Sequence, residues 1–190
     1  LDLIGQQFDQ VLSPGDRAGM AAKYGAGPVI TSVVTNTFDS GPGSLRAALY
    51  YALDHPGTTI TFNIPTSDPG FAGGVFTIQP TDNFPGLMRA TVLDGSTQPG
   101  NSNSNGPEIV LKGALCDPVS VYSDGLRLTG TNCVVQSLVI NGFPGSGLVI
   151  HGPNASGNVV RGCYLNVNAA GTAASTNRYD GVVISGGAFG

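Results

Sequence analysis

Apolar and polar positions alternate along much of this chain in short bursts, and one burst recurs three times: DGLRLTG at 124–130, SGLVIHG at 146–152 and DGVVISG at 180–186. Each copy sets two apolar residues around a variable one, which is the in–out period of a strand. The same pattern predicts strands in VITSVV (29–34), TTITFNI (58–64), VFTIQ (75–79), ATVLDG (90–95) and EIVLKG (108–113). One segment has another period. After Ser44, the residues Leu45, Ala48, Leu49, Ala52 and Leu53 recur at three- and four-residue steps, predicting a capped amphipathic helix that Pro56-Gly57 ends.

The recurring windows can be laid over one another. Leu126 falls on Leu148, and Leu128 on Ile150. With three extra residues near 153–157, Val135 falls on Val160, Gln136 on Arg161, Leu138 on Cys163, Val139 on Tyr164, Ile140 on Leu165 and Asn141 on Asn166. A third window opens at Gly181 with Val182 and Ile184. Such recurrence marks stacked repeats, each burying its apolar side against the next. Leucine-rich repeats would need a helix or extended segment after each strand, whereas the intervening stretches here are strand-like. An ordinary parallel sheet would need crossover helices, and none is readable beyond residue 60.

The expectation is therefore an all-β parallel β-helix over 33–190, with the helix at 44–54 covering its N-terminal end and residues 1–32 forming an arm or leader. Leu126, Leu148 and Val182 would make one interior file, and Leu128, Ile150 and Ile184 another. Glycines flanking the strands would serve corners with positive φ. Asn141 and Asn166 would stack at one such corner, each amide bonding to the next level. The chain ends on ISGGAFG, directly after a strand, so the stack is expected to continue beyond it, or in a second polypeptide or symmetry mate.

Composition narrows the functional classes. Gly is 29 of the 190 residues and Pro 13, while charged residues make up 11%. Eleven of the acids are aspartate and the one glutamate is Glu108. A net charge of -4 without a basic cluster argues against nucleic acid as a partner. No apolar run reaches the length of a membrane helix. Cys116, Cys133 and Cys163 are spaced unlike metal-ligand pairs, and the expected state for most of them is small buried apolar residues. NAS at 154–156 fits a glycosylation acceptor.

Taken together, DSGPGSLRAAL (39–49), PGTTITFNI (56–64), LDGSTQPG (93–100), GPEIVLKG (106–113) and CYLNVNAAGTAASTNRYDGVVISGG (163–187) resemble bacterial right-handed parallel β-helix repeat proteins, of the superfold that pectate lyases share. The resemblance covers roughly residues 33–190. It implies a right-handed coil and a secreted or cell-surface location. It also implies one of two functions: a scaffold that binds or adheres to polysaccharide, or a polysaccharide lyase or glycoside hydrolase with its catalytic residues largely beyond Gly190. The expected partner is a polysaccharide or cell-surface glycan.

Candidate chemistry is sparse. Arg127 should point outward between Leu126 and Leu128, where a lyase would place an arginine base, but its counterparts Val149 and Val183 are apolar. Asp124 and Asp180 occupy equivalent positions and could form a carboxylate pair. Two strand spacings put them about 10 Å apart, beyond the usual inverting separation; an Asx-turn role is the plainer account. Tyr164, with Arg161 and Gln136, offers a ring, a guanidinium and an amide that could stack on and hydrogen-bond a sugar. Asp94, Asp117 and Asp124 could lend oxygens to calcium, the one cofactor left open, though without the dense alternation of a calcium loop. His55 and His151 are too far apart in register for a zinc pair.

Overall fold

The computed structural model of the chain describes residues 31–117 and 123–189. Residues 1–30, nearly all of the expected arm, and the first part of the strand expected at 29–34 lie outside the described residues. Within them the protein is β-rich, with one helix, α1 (Leu45–Asp54).

The strands are β1 (Val33–Val34), β2 (Thr59–Phe62), β3 (Phe71–Ala72), β4 (Val75–Ile78), β5 (Val92–Asp94), β6 (Ile109–Lys112), β7 (Leu126–Leu128), β8 (Val134–Gln136), β9 (Leu138–Asn141), β10 (Leu148–His151), β11 (Val159–Arg161), β12 (Tyr164–Leu165) and β13 (Val182–Ser185). They form three sheets: sheet I in the order β1-β2-β5-β8-β11, sheet II in the order β12-β9-β6-β4-β3, and sheet III in the order β13-β10-β7. From β5 onward the chain visits sheets I, II and III in strict rotation, so each circuit adds one strand to every sheet. The pairing between circuits is parallel.

Register follows the superposition of the repeated windows. Leu126 pairs with Leu148 and Leu148 with Val182, while Leu128, Ile150 and Ile184 make the next file. Val135 pairs with Val160 and Gln136 with Arg161; Val139 pairs with Tyr164 and Ile140 with Leu165. Identical chemistry at each level lets a parallel ladder place apolar on apolar, and each fully buried Leu or Ile contributes about 1.5–3 kcal/mol. Leu126, Leu128, Leu148 and Ile150 join one core with Ile60, Phe76, Leu93, Val135 and Ile140.

Helix α1 lies against β1 and β2. Ser44 caps it by accepting a hydrogen bond from the Ala47 amide at 3.2 Å, and Leu45, Ala48, Leu49 and Ala52 turn inward. At the opposite end the third circuit is uncovered: Ile184 is 65% exposed, although its partner Ile150 is only 8% exposed.

Several expectations need correction or addition. The strand expected at 75–79 is present as β4 and pairs in parallel with β6, but it also closes an unforeseen antiparallel hairpin, in which Phe71 pairs with Phe76 and Ala72 with Val75 across Gly73-Gly74. Both glycines have positive φ, as a two-residue turn requires. The leading glycines of the repeated phrase, Gly125 and Gly147, do not adopt positive φ. They are needed because circuits approach closely: a Cβ on Gly125 would lie 2.3 Å from the Gly147 carbonyl oxygen. Asn141 bonds to the next circuit as expected, but Asn166 does not repeat that bond. Asn141 Nδ2 donates to the Val167 carbonyl at 2.9 Å, whereas Asn166 Oδ1 accepts from Asn177. Asp124 makes no local Asx turn; its Oδ1 accepts from the Ser146 amide of the next circuit at 2.8 Å.

Candidate functional site

In the last two circuits the connection from sheet I to sheet II is tight. Only Ser137 separates β8 from β9, and it takes φ 57°; at the next level Gly162, between β11 and β12, takes φ 60°. Gly95 lies beside Ser137, where a Cβ would come 2.0 Å from the Ser137 carbonyl oxygen, so no larger residue fits. The bend brings the ends of β5, β8 and β11 beside the start of β12.

Three polar side chains stack at those ends. Asp94 pairs with Gln136 and Gln136 with Arg161. Arg161 Nε donates to Gln136 Oε1 at 2.6 Å. Asp94 Oδ1 accepts from the Ser96 amide at 3.0 Å and from its hydroxyl at 2.6 Å. Burial alone would push the Asp94 carboxyl up, but hydrogen bonds from Ser96 and Gln136, with the Arg161 charge, outweigh it and hold it below the ordinary carboxylate range.

Beyond the bend a cleft of about 390 Å³ opens, lined by residues that include Ser96, Glu108, Ser137, Gly162 and Tyr164. Its far wall is loop. The Tyr164 hydroxyl donates to the Asn105 carbonyl at 2.7 Å, and Asn103 Nδ2 donates to the Ala169 carbonyl at 2.9 Å. These bonds fasten the loop before β6 to the segment after β12. Glu108 sits at the root of that loop, 7% exposed. Its Oε1 accepts from the Asn103 amide at 3.3 Å, while its Oε2 has no hydrogen-bond partner. A buried oxygen left so costs about 1–3 kcal/mol until a donor reaches it.

Of the residues expected to touch a ligand, Arg161 and Gln136 bond directly to each other, while Tyr164 lines the cleft and bonds to the loop before β6. Those expected to be catalytic lie elsewhere. Arg127 NH1 and Asp124 Oδ2 form an ion pair at 3.3 Å on the sheet of β7, β10 and β13. Asp180 precedes β13, exposed, two strands from Asp124. Asp94 and Asp124 are engaged with backbone amides, and among the described residues no three His, Cys, Asp or Glu side chains converge to hold a metal ion. His55 stacks on Tyr51 at 3.9 Å, and His151 meets Ser185 at 3.1 Å. All three cysteines are free thiols, with Cys116 and Cys133 buried.

Glu108 and Ser96 were not singled out as site residues from sequence. The one signal was that Glu108 is the sole glutamate in an aspartate-rich chain, placed directly before an apolar run. Compared with family models, curated proteins and solved structures, the chain matches none. Among the described residues, no helix is long and apolar enough to cross a membrane.

Proposed function

We propose that this chain is a right-handed parallel β-helix of secreted or cell-surface type that binds a glycan, with the cleft beside the sheet I–sheet II bend as its site. The rotation of the chain through three sheets, with parallel pairing between circuits and like residues in register, supports the fold reading. The observation that carries the functional reading is that Tyr164 lines the cleft together with Ser137 and Gly162, the residues that directly follow the bonded Gln136–Arg161 pair in the chain. A half-buried ring with fixed hydroxyl presents a stacking surface, and a guanidinium held by an amide presents N–H donors at a set position. A polar cleft of this size suits one or two sugar rings rather than an extended protein surface.

The test is affinity electrophoresis through gels containing a panel of neutral and acidic polysaccharides, followed by calorimetry on any that retard the chain. Retardation without product, reduced by Tyr164→Ala and by Arg161→Ala, is the expected result. Mobility unchanged in every gel would overturn the reading. Release of shortened or unsaturated sugars would replace it with hydrolysis or β-elimination.

A further inference from the structure

Resting on that glycan-binding reading, we infer that the cleft accepts uncharged glycans and rejects uronic-acid polymers, with Glu108 as the buried acceptor for a sugar hydroxyl. The lining holds one acidic side chain, Glu108, and no lysine or arginine. Arg161 is not part of the lining; its Nε is committed to Gln136 and its charge is set against Asp94, two positions away in the same file. The polar groups therefore offer acceptors in excess of free positive charge, and the chain as a whole carries -4. A uronate brings like charge to this corner and no compensating ion.

Glu108 supplies the positive half of the selection. Its side chain is 93% buried, since it is 7% exposed, and one oxygen is fixed by the Asn103 amide. The other oxygen accepts no hydrogen bond. Glu108 is also wedged between Ile109 at the head of β6 and the Asn103–Pro107 loop, which Asn103 Nδ2 ties back onto the Pro107 carbonyl at 2.9 Å. Glu108 is among the residues lining the cleft, and a sugar hydroxyl entering there is the donor assigned to its free oxygen; uronates carry hydroxyls too, so their rejection rests on the charge of their carboxylates.

Calorimetry at fixed ionic strength tests this with two probes, a neutral β-glucan or mannan and polygalacturonate. The neutral glycan should bind about tenfold or more tightly than the polyuronate, and the gap should narrow as salt rises. Glu108→Gln keeps an oxygen for the Asn103 amide but loses the charge-assisted bond, so neutral-glycan affinity should fall about tenfold with the melting temperature little changed. Polygalacturonate binding equally or more tightly overturns the inference, as does undiminished binding by a folded E108Q. Should E108Q not fold, the wild-type comparison still decides the charge class. Failure of every glycan to bind removes the parent reading as well; neutral binding that depends on Tyr164 but not on Glu108 removes this inference alone.

Discussion

Asn177 fills the space that Gly147 leaves by having no side chain. A Cβ at 147 would stand 2.5 Å from Asn177 Nδ2 and 2.8 Å from the Gly181 carbonyl oxygen. Asn177, 3% exposed, ties three segments together: its Oδ1 accepts from the Phe143 amide at 3.0 Å, and its Nδ2 donates to Asn166 Oδ1 at 2.7 Å. Gly147→Ala should therefore destabilise the protein by about 1–3 kcal/mol through overpacking, since the backbone of residue 181 cannot step aside as a side chain can. Asn177→Ala should cost about 1–3 kcal/mol by orphaning the Phe143 amide, while Asn166 Oδ1 keeps its bond from the backbone amide of residue 177. Urea midpoints of both variants check the pair, and a shift under 0.5 kcal/mol in either would contradict the packing described.

Files in register should respond unequally to the same substitution. Ile150 and Ile184 pair directly, yet the first is 8% exposed and the second 65%. Ile150→Lys places an unpaired ammonium in the core and should abolish cooperative folding, whereas Ile184→Lys should move stability by about 0.5 kcal/mol or less. Thermal melts followed by circular dichroism distinguish the two. Equal losses would mean that residue 184 is covered in the working protein.

Acid should weaken the bend. Burial raises the Asp94 carboxyl, but the bonds from Ser96 and Gln136 outweigh it, so its folded pKa lies below the ordinary 3.8. Its contribution is then complete above the unfolded value and disappears as pH falls through the folded one. Asp39 has the same sign: burial opposes, and Arg46 and Thr81 prevail. The stability gap between wild type and Asp94→Asn should be constant from about pH 7 to pH 5 and close below about pH 4. Urea unfolding across that range measures it; a gap that widens in acid would reverse the assignment.

Thiol reactivity should follow access. Cys133 and Cys116 are 0% and 5% exposed, Cys163 is partly open in the last circuit, and burial pushes all three thiols up. Brief treatment with a maleimide at neutral pH should label Cys163 first and leave the other two until the chain unfolds, as mass spectrometry of digests would reveal.

The interior was readable in the amino-acid pattern because stacking demands the same kind of residue at every level. Leu126 over Leu148 and Val135 over Val160 had to recur in the text before they could coincide in space. Ser44 and the stripe from Leu45 to Ala52 were equally plain, since one cap and one period define a helix. The hairpin was missed although Gly73-Gly74 is a turn signal, because strands of two residues hold too little alternation to register. The cleft was only half visible. Arg161, Gln136 and Tyr164 lie on strands and inherit the register, but Glu108 owes its surroundings to a loop without period. Asn177 falls in a stretch whose length differs from its neighbours, so no superposition could align it.

The loop before β6 and the segment after β12 join over one corner while the three sheets run on beneath them. Residues can be added to or removed from either without shifting a single rung below. The wall of the cleft is thus free to diverge at a pace of its own, and two proteins with matching interiors could present quite different clefts.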